Sequence, residues 1–481
     1  MHTGLRVLVP GLLAAVLAAT GCEPRQDAAP RAAPSYEMLR RTAVVEVFQA
    51  CKESVVNIGC TRQDPSDPDV KHTEYASGVV VHPAGFVLTN AHLLRHEGDL
   101  AVGFDGGREY TARVVAFDEQ LDLAVLRVDA QRRLKPITLG RSQGLMVGER
   151  VVTMGNPFGM GMTVAEGIVS AIGRSTKSEY TFYAEMIQTD ATTNPGSSGG
   201  PLLNVSGEMV GLNTTKKLQA DNIAFAIPAD RIRESLPEVL AVEERRGFTV
   251  GLEVATLGPA EVTKVRQGSP AEAAGVRPGD VVTRLAGEDV PSGLSYHLAL
   301  LDAEGGQPLL LRVLRGGRFL ALTLTPKAEP LRPPELAADV EPGLERLAFE
   351  GTWERLPDFD TLEPAATDRV ETFDLGPYAG KDGFALLFRG YVGVPADGVY
   401  AFYTESDDGS RLCIGDREVV SNDGTHPARR RRGFIPLRKG KHPIAVAYVE
   451  TGGDEVLEVS WHGPGEARRP IPASALFRDA P

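Results

Sequence analysis

The sequence predicts a mainly-β protein in which a double β-barrel is followed by a smaller mixed domain and a β-sandwich. Short apolar runs broken by turn residues fall into two sets of about six between residues 54 and 228. Apolar and polar residues alternate in VYAFYTE and LEVSW near the C-terminus, which is the pattern of a half-buried strand. A proline-rich stretch divides these regions, and 481 residues leave room for about three domains of ~150 residues.

Composition and charge narrow the function classes. Apolar residues make up 42% of the chain and charged residues 24%, which is ordinary for a globular protein. The formal net charge of −13 opposes binding to the phosphates of a nucleic acid, so nucleic acid is excluded as a partner of the whole molecule. The simplest role of this charge is to keep the protein in solution.

Residues 1–22 have the pattern of an export signal. A basic start precedes an apolar run over residues 8–19 that is too short to span a membrane. Small residues before Cys22 resemble the lipobox of bacterial lipoproteins, and a plain cleaved signal is the alternative. The lipobox implies a mature chain that begins at Cys22 with acyl chains and, since Glu23 follows, is anchored in the outer membrane. Residues 23–43 are predicted to be a tether, because residues 23–35 are rich in proline and alanine.

Export makes disulfide bonds possible, and three cysteines remain to be placed. Cys51 and Cys60 can pair if the chain turns between them, which would stabilise the fold by roughly 3 kcal/mol on the chain-entropy estimate. In one continuous strand the two would lie ~30 Å apart and could not bond. Cys413 lies in an alternating strand and is expected to be a core thiol.

Residues 44–245 contain the two sets of strands. The first set comprises SVVNIGC, SGVVV, FVLTN, DLAVGF, EYTARVVAF and DLAVLRV. The second set comprises ERVVTMG, MTVAEGIVSAIG, EMIQTD, PLLN, EMVGLNT and NIAFAIP. A helix with apolar residues at helical spacing follows over residues 229–241. Two such sets in about 200 residues favour two barrels that face each other across a cleft.

Three polar residues occur at the ends of these strands in the order histidine, aspartate and serine, which is typical of chymotrypsin-like enzymes. His92 follows a strand of the first set in TNAH, and Asp122 opens the last strand of that set in LDLAVL. Ser198 lies in the second set within TDATTNPGSSGGPLL, a stretch that suits a tight turn holding one hydroxyl outward. A serine nucleophile needs a histidine base and a buried acid, so these residues are candidates for a catalytic triad.

The motifs TNAHLL, DLAVLRV, GNPFGMGMTVAEGIVSAIGR, QTDATTNPGSSGGPLLN and FAIP resemble the HtrA (high-temperature-requirement) family of trypsin-like serine proteases. The resemblance implies a chymotrypsin-like double β-barrel, a Ser-His-Asp acyl-enzyme mechanism without a cofactor, and a homo-oligomer built on trimers. It implies that Ser198, next to the Gly-Gly-Pro run, is the nucleophile and that the amides of Gly196 and Ser198 form the oxyanion hole. Ser197 departs from the family, which usually has asparagine at this position.

Residues 246–327 resemble the PDZ domain that follows the protease domain in HtrA proteins. The resemblance is in a short helix that starts at Ser269 and stops at a glycine, the turn RPGD, and the strand pair PLLLRVLRGGRFLALTL. It implies that the carboxylate of a peptide ligand meets backbone N–H groups at Val250, Gly251 and Leu252, and that the ligand adds a strand to the sheet edge. A PDZ domain used only for packing or assembly is the alternative.

Residues 328–346 are predicted to be a proline-rich linker and residues 347–481 a β-sandwich. The sandwich resembles the protective-antigen-type domain of bacterial toxins, glycosidases and fungal adhesins, especially in YTESDDGSRL. The resemblance implies carbohydrate binding, with calcium held by Asp407 and Asp408, because sugar-binding members use two adjacent aspartates and calcium prefers oxygen ligands. A hairpin turn at these residues is the alternative.

Two further features of this module have a structural and a functional interpretation. Trp353 and Trp461 are expected in the core, with stacking on sugar rings as the alternative. The four arginines at residues 429–432 are expected in a solvated loop, with binding to anionic glycans or lipid headgroups as the alternative.

Together these features predict a serine endopeptidase of the bacterial cell envelope, periplasmic or extracellular, and anchored by lipid. It is expected to degrade misfolded or damaged envelope proteins as part of protein quality control. The PDZ domain would recognise unfolded polypeptides, and the sandwich would localise the enzyme to glycans or cell wall. The alternative is a non-proteolytic chaperone or a glycan-binding adhesion protein.

Overall fold

The computed structural model describes residues 40–64, 67–94, 98–156, 160–177, 182–216, 222–255, 258–335, 339–453, 455–464, 466 and 468–480. All the elements below belong to one unit of the fold, Ala43–Pro481. The predicted export signal, with Cys22, and most of the predicted tether lie outside the described residues. No helix in the described part of the chain has the length and apolar character needed to cross a membrane.

The first barrel is a closed sheet of six strands that follows helix α1 (Ala43–Cys51). Its strands are β1 (Val55–Asp64), β2 (Asp67–His82), β3 (Phe86–Thr89), β4 (Asp99–Phe104), β5 (Arg108–Asp118) and β6 (Leu123–Val128). They pair antiparallel in the order β1-β2-β3-β6-β5-β4, and β4 closes the sheet against β1. Every second residue of β4 is buried, because successive side chains of a strand point to opposite faces.

The second barrel has the same architecture. Its strands are β7 (Arg150–Gly155), β8 (Thr163–Lys177), β9 (Phe182–Thr189), β10 (Pro201–Asn204), β11 (Met209–Lys216) and β12 (Ala224–Pro228). They are ordered β10-β11-β12-β9-β8-β7, and β7 closes the barrel against β10. The predicted double β-barrel is therefore confirmed.

Two helices connect the second barrel to the next domain: α2 (Ala229–Leu240) and the short α3 (Val242–Arg246). Helix α2 buries Ile232, Leu236 and Val239, which share one face at helical spacing. These side chains belong to one continuous apolar cluster that extends from the barrels into the next domain. The double barrel and that domain therefore share a core.

The next domain contains a small sheet and two helices. Its elements are β13 (Phe248–Thr249), β14 (Leu252–Val254), β15 (Ala260–Val265), α4 (Pro270–Ala273), β16 (Val281–Leu285), β17 (Glu288–Asp289), α5 (Gly293–Leu300), β18 (Leu309–Arg315), β19 (Arg318–Leu324) and β20 (Lys327–Ala328). The main sheet is ordered β14-β15-β16-β18-β19, β17 pairs with β16, and β13 pairs with β20. Strand β14 is at an edge of the main sheet, and Ser269 caps α4 by accepting from the Glu272 amide.

The C-terminal region is a sandwich of an eight-stranded and a four-stranded sheet. Its strands are β21 (Val340–Pro342), β22 (Leu344–Glu350), β23 (Ala366–Val370), β24 (Phe384–Val394), β25 (Gly398–Ser406), β26 (Ser410–Ile414), β27 (Arg417–Asn422), β28 (Arg429–Leu437), β29 (Gly440–Glu450), β30 (Leu457–His462), β31 (Arg469–Pro470) and β32 (Leu476–Asp479). The core between the sheets contains Trp461, and Trp353 packs against a second apolar cluster. The first strand begins at Val340, within the segment predicted to be a linker.

The four arginines at residues 429–432 begin strand β28, which pairs with β25, so the expectation of a solvated loop is wrong. Arg430 forms ion pairs with Glu119 of the first barrel and with Glu405 of β25. Arg432 donates hydrogen bonds to the carbonyl oxygen of Phe117 at 2.7 Å and to that of Val239. This strand therefore holds the sandwich against the first barrel and helix α2.

The cysteines form no disulfide within the described residues. Cys51 and Cys60 are both buried and are not joined to each other, and Cys51 Sγ donates to the Gly207 carbonyl oxygen at 3.3 Å. Cys51 ends α1 and Cys60 lies within β1. Cys413 is free and half-buried in β26.

Candidate active site

His92 and Asp122 meet at one end of the first barrel. Strands β3 and β6 are antiparallel neighbours, so the residues that follow β3 lie beside those that precede β6. His92 lies in a 3-10 helix that follows β3, and Asp122 directly precedes β6 with a φ of 52°. His92 Nδ1 is 2.9 Å from Asp122 Oδ1 and 3.0 Å from Oδ2, and the His92 amide donates to Oδ1 at 3.0 Å. These contacts fix the imidazole ring by its Nδ1 side.

Asp122 is 1% exposed and has donors from both barrels. Tyr183 donates its phenolic O–H to Asp122 Oδ2 at 3.0 Å, and Thr214 donates its hydroxyl to the same oxygen. Burial by itself would raise the pKa of Asp122, but the hydrogen bonds from His92 and Thr214 outweigh burial, and the pKa is lowered. Asp122 is therefore a buried carboxylate at neutral pH. Asn90 supports it from the backbone side, donating Nδ2–H to the Asp122 carbonyl oxygen at 3.0 Å.

The loop before β10 carries Ser198 at the facing edge of the second barrel. Its first four residues, Asn194 to Ser197, form a turn in which the Ser197 amide donates to the Asn194 carbonyl oxygen at 2.8 Å. Pro195 at the second position and Gly196 at the third, with a φ of 97°, are the residues that a type II turn requires. The Gly196 and Ser198 amides, predicted to form the oxyanion hole, donate no hydrogen bond within the described residues. Their role in an oxyanion hole stays a prediction.

Ser77 of β2 joins this loop to the first barrel. The Ser77 amide donates to the Ser198 carbonyl oxygen at 2.8 Å, and its hydroxyl donates to the Gly196 carbonyl oxygen at 2.8 Å. The same hydroxyl accepts from the Asn156 amide at 2.9 Å. A Cβ atom at Gly199 would come within 2.1 Å of the Ser77 carbonyl oxygen, so only glycine permits this approach. One buried serine thus sets the position of the serine loop relative to His92.

The two adjacent serines have different surroundings. Ser197 is 6% exposed, and its hydroxyl accepts from the Asn194 amide at 3.3 Å inside the turn. Ser198 is half-buried, and its hydroxyl donates to the Thr214 carbonyl oxygen at 2.6 Å. No hydrogen bond joins Ser198 Oγ to the His92 ring in the part of the chain that the structure describes. The Ser198 hydroxyl must therefore turn away from Thr214 before His92 can take its proton.

Of the predicted peptide-binding residues, Val250 and Gly251 form a loop fixed by hydrogen bonds, and Leu252 begins edge strand β14. The Val250 carbonyl oxygen accepts from the Ala271 amide at 3.1 Å, and the Gly251 carbonyl oxygen accepts from the Arg266 amide at 2.9 Å. The Val250 amide is not free, because it donates to Glu243 Oε2 of helix α3 at 3.1 Å. Glu243 Oε2 also accepts from the Thr249 hydroxyl at 3.1 Å. The Glu243 carboxylate thus accepts a hydrogen bond from the Val250 amide, which was predicted to bind the carboxylate of a peptide ligand.

Asp407 and Asp408 already have hydrogen-bond donors from the protein. Asp408 is 2% exposed; its Oδ1 accepts from the His426 amide at 3.1 Å, and its Oδ2 accepts from the amide of Thr451 at 2.8 Å and from the Thr451 hydroxyl. Asp407 Oδ2 accepts from the Ala428 amide at 3.0 Å. The described residues contain no group of three or more histidine, cysteine or acidic side chains arranged for a metal. Both aspartates thus use carboxylate oxygens to hold neighbouring loops by hydrogen bonds, which fits a structural role better than a preformed calcium site. Calcium binding stays a prediction.

Sequence reasoning found His92, Asp122 and Ser198, but it missed the residues that position them: Ser77, Thr214 and Tyr183. Ser77 and Thr214 are buried strand residues. A hydroxyl at a buried strand position needs a polar partner, and this was the available signal. The partner itself could not be predicted, because each contact joins residues far apart in the chain.

Three stretches of the chain match known protein families. Residues 76–212 match the family described as "Trypsin-like peptidase domain", residues 261–315 match "PDZ domain", and residues 343–475 match "PA14 domain". The first stretch includes His92, Asp122 and Ser198.

Individual proteins are similar to between 50% and 61% of the chain. "Probable periplasmic serine protease do/HhoA-like" of Haemophilus influenzae is 35% identical over 259 residues, which cover 50% of this chain and 56% of the relative. "Serine protease HTRA1" of Xenopus tropicalis is 32% identical over 320 residues, which cover 61% of this chain and 69% of the relative. The solved structure "HtrA-type protease AlgW with decapeptide" is 29% identical with a TM-score of 0.38, and the match covers 60% of this chain and 100% of that chain. This chain thus spans little more than half the length of the first relative.

Proposed function

Since the chain belongs to the HtrA family of serine proteases, we propose that it is a serine endopeptidase of the bacterial cell envelope. Its substrates would be misfolded or damaged envelope proteins. The observation that carries the proposal is a buried, anionic Asp122 bonded to His92, which faces a loop with the Ser198 hydroxyl at its surface. Casein cleavage by the full chain tests the activity.

In the proposed reaction Ser198 is the nucleophile, His92 is the base and then the acid, and two loop amides stabilise the intermediate. The Ser198 hydroxyl turns from Thr214 towards His92, gives its proton to the ring, and attacks the substrate carbonyl carbon. The amides of Gly196 and Ser198 donate to the oxygen of the tetrahedral intermediate. The His92 imidazolium then protonates the leaving amine, which breaks the peptide bond and leaves an acyl-enzyme. Water, deprotonated by His92, hydrolyses the acyl-enzyme and restores the Ser198 hydroxyl.

Asp122 keeps the His92 ring in the orientation that this cycle needs. Its carboxylate accepts the Nδ1–H, which leaves Nε2 unprotonated and able to act as the base. When the ring becomes an imidazolium, the buried anion stabilises it. The hydrogen bonds from Tyr183 and Thr214 keep that anion oriented in a site where water does not reach it.

The PDZ domain is proposed to recognise the C-terminal carboxylate of an unfolded polypeptide at Val250, Gly251 and Leu252. Edge strand β14 supports this role, because a peptide can pair with it as an added strand. In the structure a ligand carboxylate would first have to displace Glu243 from the Val250 amide. Helix α3, which carries Glu243, also connects the second barrel to the PDZ domain. Displacement of Glu243 would therefore break a contact at the junction of the two domains.

Glu243→Gln is expected to tighten the binding of such a peptide by up to about 10-fold. The change removes the like charge that opposes the incoming carboxylate, and it replaces a charge-assisted acceptor by a weaker, neutral one. Fluorescence anisotropy of a labelled peptide with a free C-terminal carboxylate, on the Ser198→Ala protein, measures the affinity. Glu244→Gln, an exposed neighbour on the same helix, is the matched control and should leave the affinity unchanged. Unchanged or weaker binding by Glu243→Gln would show that Glu243 does not compete.

The sandwich is proposed to bring the enzyme to carbohydrate or cell wall, as the match to a PA14 domain suggests. Calcium at Asp407 and Asp408 is part of this proposal only if a sugar ligand and the ion together displace donors such as the His426 amide. A glycan array with and without a chelator separates the two parts. Binding that survives chelation removes calcium from the proposal, and the absence of any glycan signal removes carbohydrate targeting.

We also propose a location and an assembly, which the family and the sequence support. A lipid anchor at Cys22 would hold the mature protein at the outer membrane, and a homo-oligomer built on trimers would bring several active sites together. Acyl labelling of the parent protein that is lost in Cys22→Ala would support the anchor, and labelling of both proteins would contradict it. Sedimentation of the purified chain reports the size of the oligomer.

A further inference from the structure

A cavity of about 360 Å³ lies between the first barrel and the sandwich. Its barrel wall is mainly apolar and includes Leu100, Val115 and Phe117, whereas the opposite wall includes Tyr403, Arg432 and Arg468 of the sandwich. Arg245 of helix α3 completes the lining between them. This volume lies in the range of ~300–1,000 Å³ that is usual for small-molecule sites. The proposed proteolysis uses no residue named here.

Two guanidinium groups meet in this cavity without a carboxylate partner. Arg245 and Arg432 lie 4.9 Å and 5.7 Å from the centre of the same ring, that of Phe434. Arg432 donates to two backbone carbonyl oxygens, and Arg245 Nε donates to a third, but Arg245 Nη2 is buried and has no acceptor among the described residues. Burial, reinforced by repulsion from Arg432, lowers the pKa of Arg245 to about 10. A buried, unpaired cation costs free energy, and an anion bound in the cavity would lower that cost.

The acidic side chains that line the cavity are already paired with other arginines. Glu119 forms an ion pair with Arg430, and Glu466 lies 3.1 Å from Arg469. They therefore do not neutralise Arg245 and Arg432. Within the described residues neither of those two arginines forms an ion pair, although Arg468 lies 3.4 Å from Glu458.

Tyr403 and His462 add neutral hydrogen-bonding groups to the cationic wall. The Tyr403 hydroxyl is 3.3 Å from His462 Nδ1, and the Arg468 guanidinium lies 5.8 Å from the Tyr403 ring. Burial, with repulsion from Arg245, Arg432 and Arg468, lowers the pKa of His462 to about 4, so its ring is neutral at pH 7. A phenol and a neutral imidazole can donate to an anion and also accept from a hydroxyl group, which is what a sugar offers beside its charge.

We propose that this cavity binds a sugar unit that carries a carboxylate or a phosphate group. The anionic group would lie against Arg245 and Arg432, and the sugar ring would lie between Tyr403 and the apolar barrel wall. The wall includes Leu94, which ends the 3-10 helix that carries His92, so an occupant also touches the element that holds the catalytic base. Binding at this site is independent of the Asp407–Asp408 loop and of proteolysis.

Calorimetry on the full chain with Ser198→Ala tests the proposal without self-degradation. Glucuronate, glucose 6-phosphate, glucose and inorganic phosphate are compared at constant ionic strength. Both anionic sugars should bind and raise the melting temperature, glucose should bind at least about 10-fold more weakly because it lacks the charge-assisted bonds, and free phosphate should also be weaker. Failure of both anionic sugars to bind, or equal binding of glucose, overturns the proposal. Equal binding of free phosphate overturns its sugar part.

Variants locate the site. Arg245→Met should weaken binding of the anionic sugars at least about 10-fold. It should also raise the melting temperature of the ligand-free protein, because it removes an unpaired buried charge. Arg389→Met, at an exposed ion pair elsewhere in the sandwich, is the matched control and should change neither quantity. If Arg245→Met does not fold, Arg468→Met replaces it as the variant of the cavity wall. Anion binding that survives whichever of these substitutions folds would overturn the assignment to this cavity.

Discussion

Ser198→Ala is expected to lower kcat for casein cleavage by about 10⁶-fold, to the level left by binding and the oxyanion hole alone. The substitution removes the oxygen that forms the acyl-enzyme in the proposed mechanism. Within the described residues the Ser198 hydroxyl makes one hydrogen bond, to the Thr214 carbonyl oxygen at 2.6 Å, so its loss leaves little unsatisfied. The variant should therefore fold normally and lose only chemistry.

Ser197→Ala is the matched control because it deletes a hydroxyl one residue away. The Ser197 hydroxyl lies inside the turn and accepts from the Asn194 amide, so its loss should cost at most about 10-fold in rate through a looser loop. A fluorophosphonate probe followed by peptide mapping identifies the labelled serine directly. Activity retained in Ser198→Ala and lost in Ser197→Ala would reverse the assignment. No cleavage and no labelling in the parent protein would favour the non-proteolytic alternative.

The sequence was sufficient for the double barrel and for the three candidate catalytic residues because both depend on local patterns. Strands of alternating or continuous apolar residues end at turn residues, and TNAH, LDLAVL and GSSGGP mark three such ends. The meeting of His92 with Asp122 then follows from one strand pairing, β3 with β6. Residues that act through long-range contacts were not predictable in this way. Ser77 contacts a loop about 120 residues later, and no local pattern distinguishes it from another buried serine.

The arginine run shows why the interdomain contacts escaped prediction. Four successive arginines at residues 429–432 would ordinarily be solvated, since a charged strand does not pack on its own domain. Here the partner is another part of the fold: Glu119 pairs with Arg430, and the carbonyl oxygens of Phe117 and Val239 accept from Arg432. A sequence pattern shows that a strand is charged, but it does not show which surface it will face. The same limit applies to Glu243, whose contact with the PDZ loop depends on how helix α3 turns.

Asp122→Asn is expected to lower kcat by about 10⁴-fold while leaving substrate binding nearly unchanged. An asparagine can turn its amide N–H₂ group towards His92 Nδ1, which then accepts instead of donating and leaves the proton on Nε2. A ring protonated at Nε2 cannot take the proton of Ser198. Asp105→Asn, at an exposed turn of the first barrel, is the matched control and should keep full activity. The kcat of Thr214→Val should lie between those of these two variants, about 10- to 100-fold below the parent value, because the change removes one hydrogen bond to the charged Asp122.

The effect of Asp122→Asn on stability, measured as a function of pH, tests the same assignment independently of activity. The pKa of Asp122 is lowered in the folded protein because its hydrogen bonds outweigh burial, so the charged carboxylate contributes stability above the unfolded pKa of about 3.9. That contribution is lost as the pH falls through the lower, folded pKa. The difference in melting temperature between the Ser198→Ala protein and the same protein with Asp122→Asn should therefore be largest at neutral pH and shrink below about pH 4. A difference that stays constant to low pH would mean that the carboxylate is not the charged partner of His92 that the proposed mechanism requires.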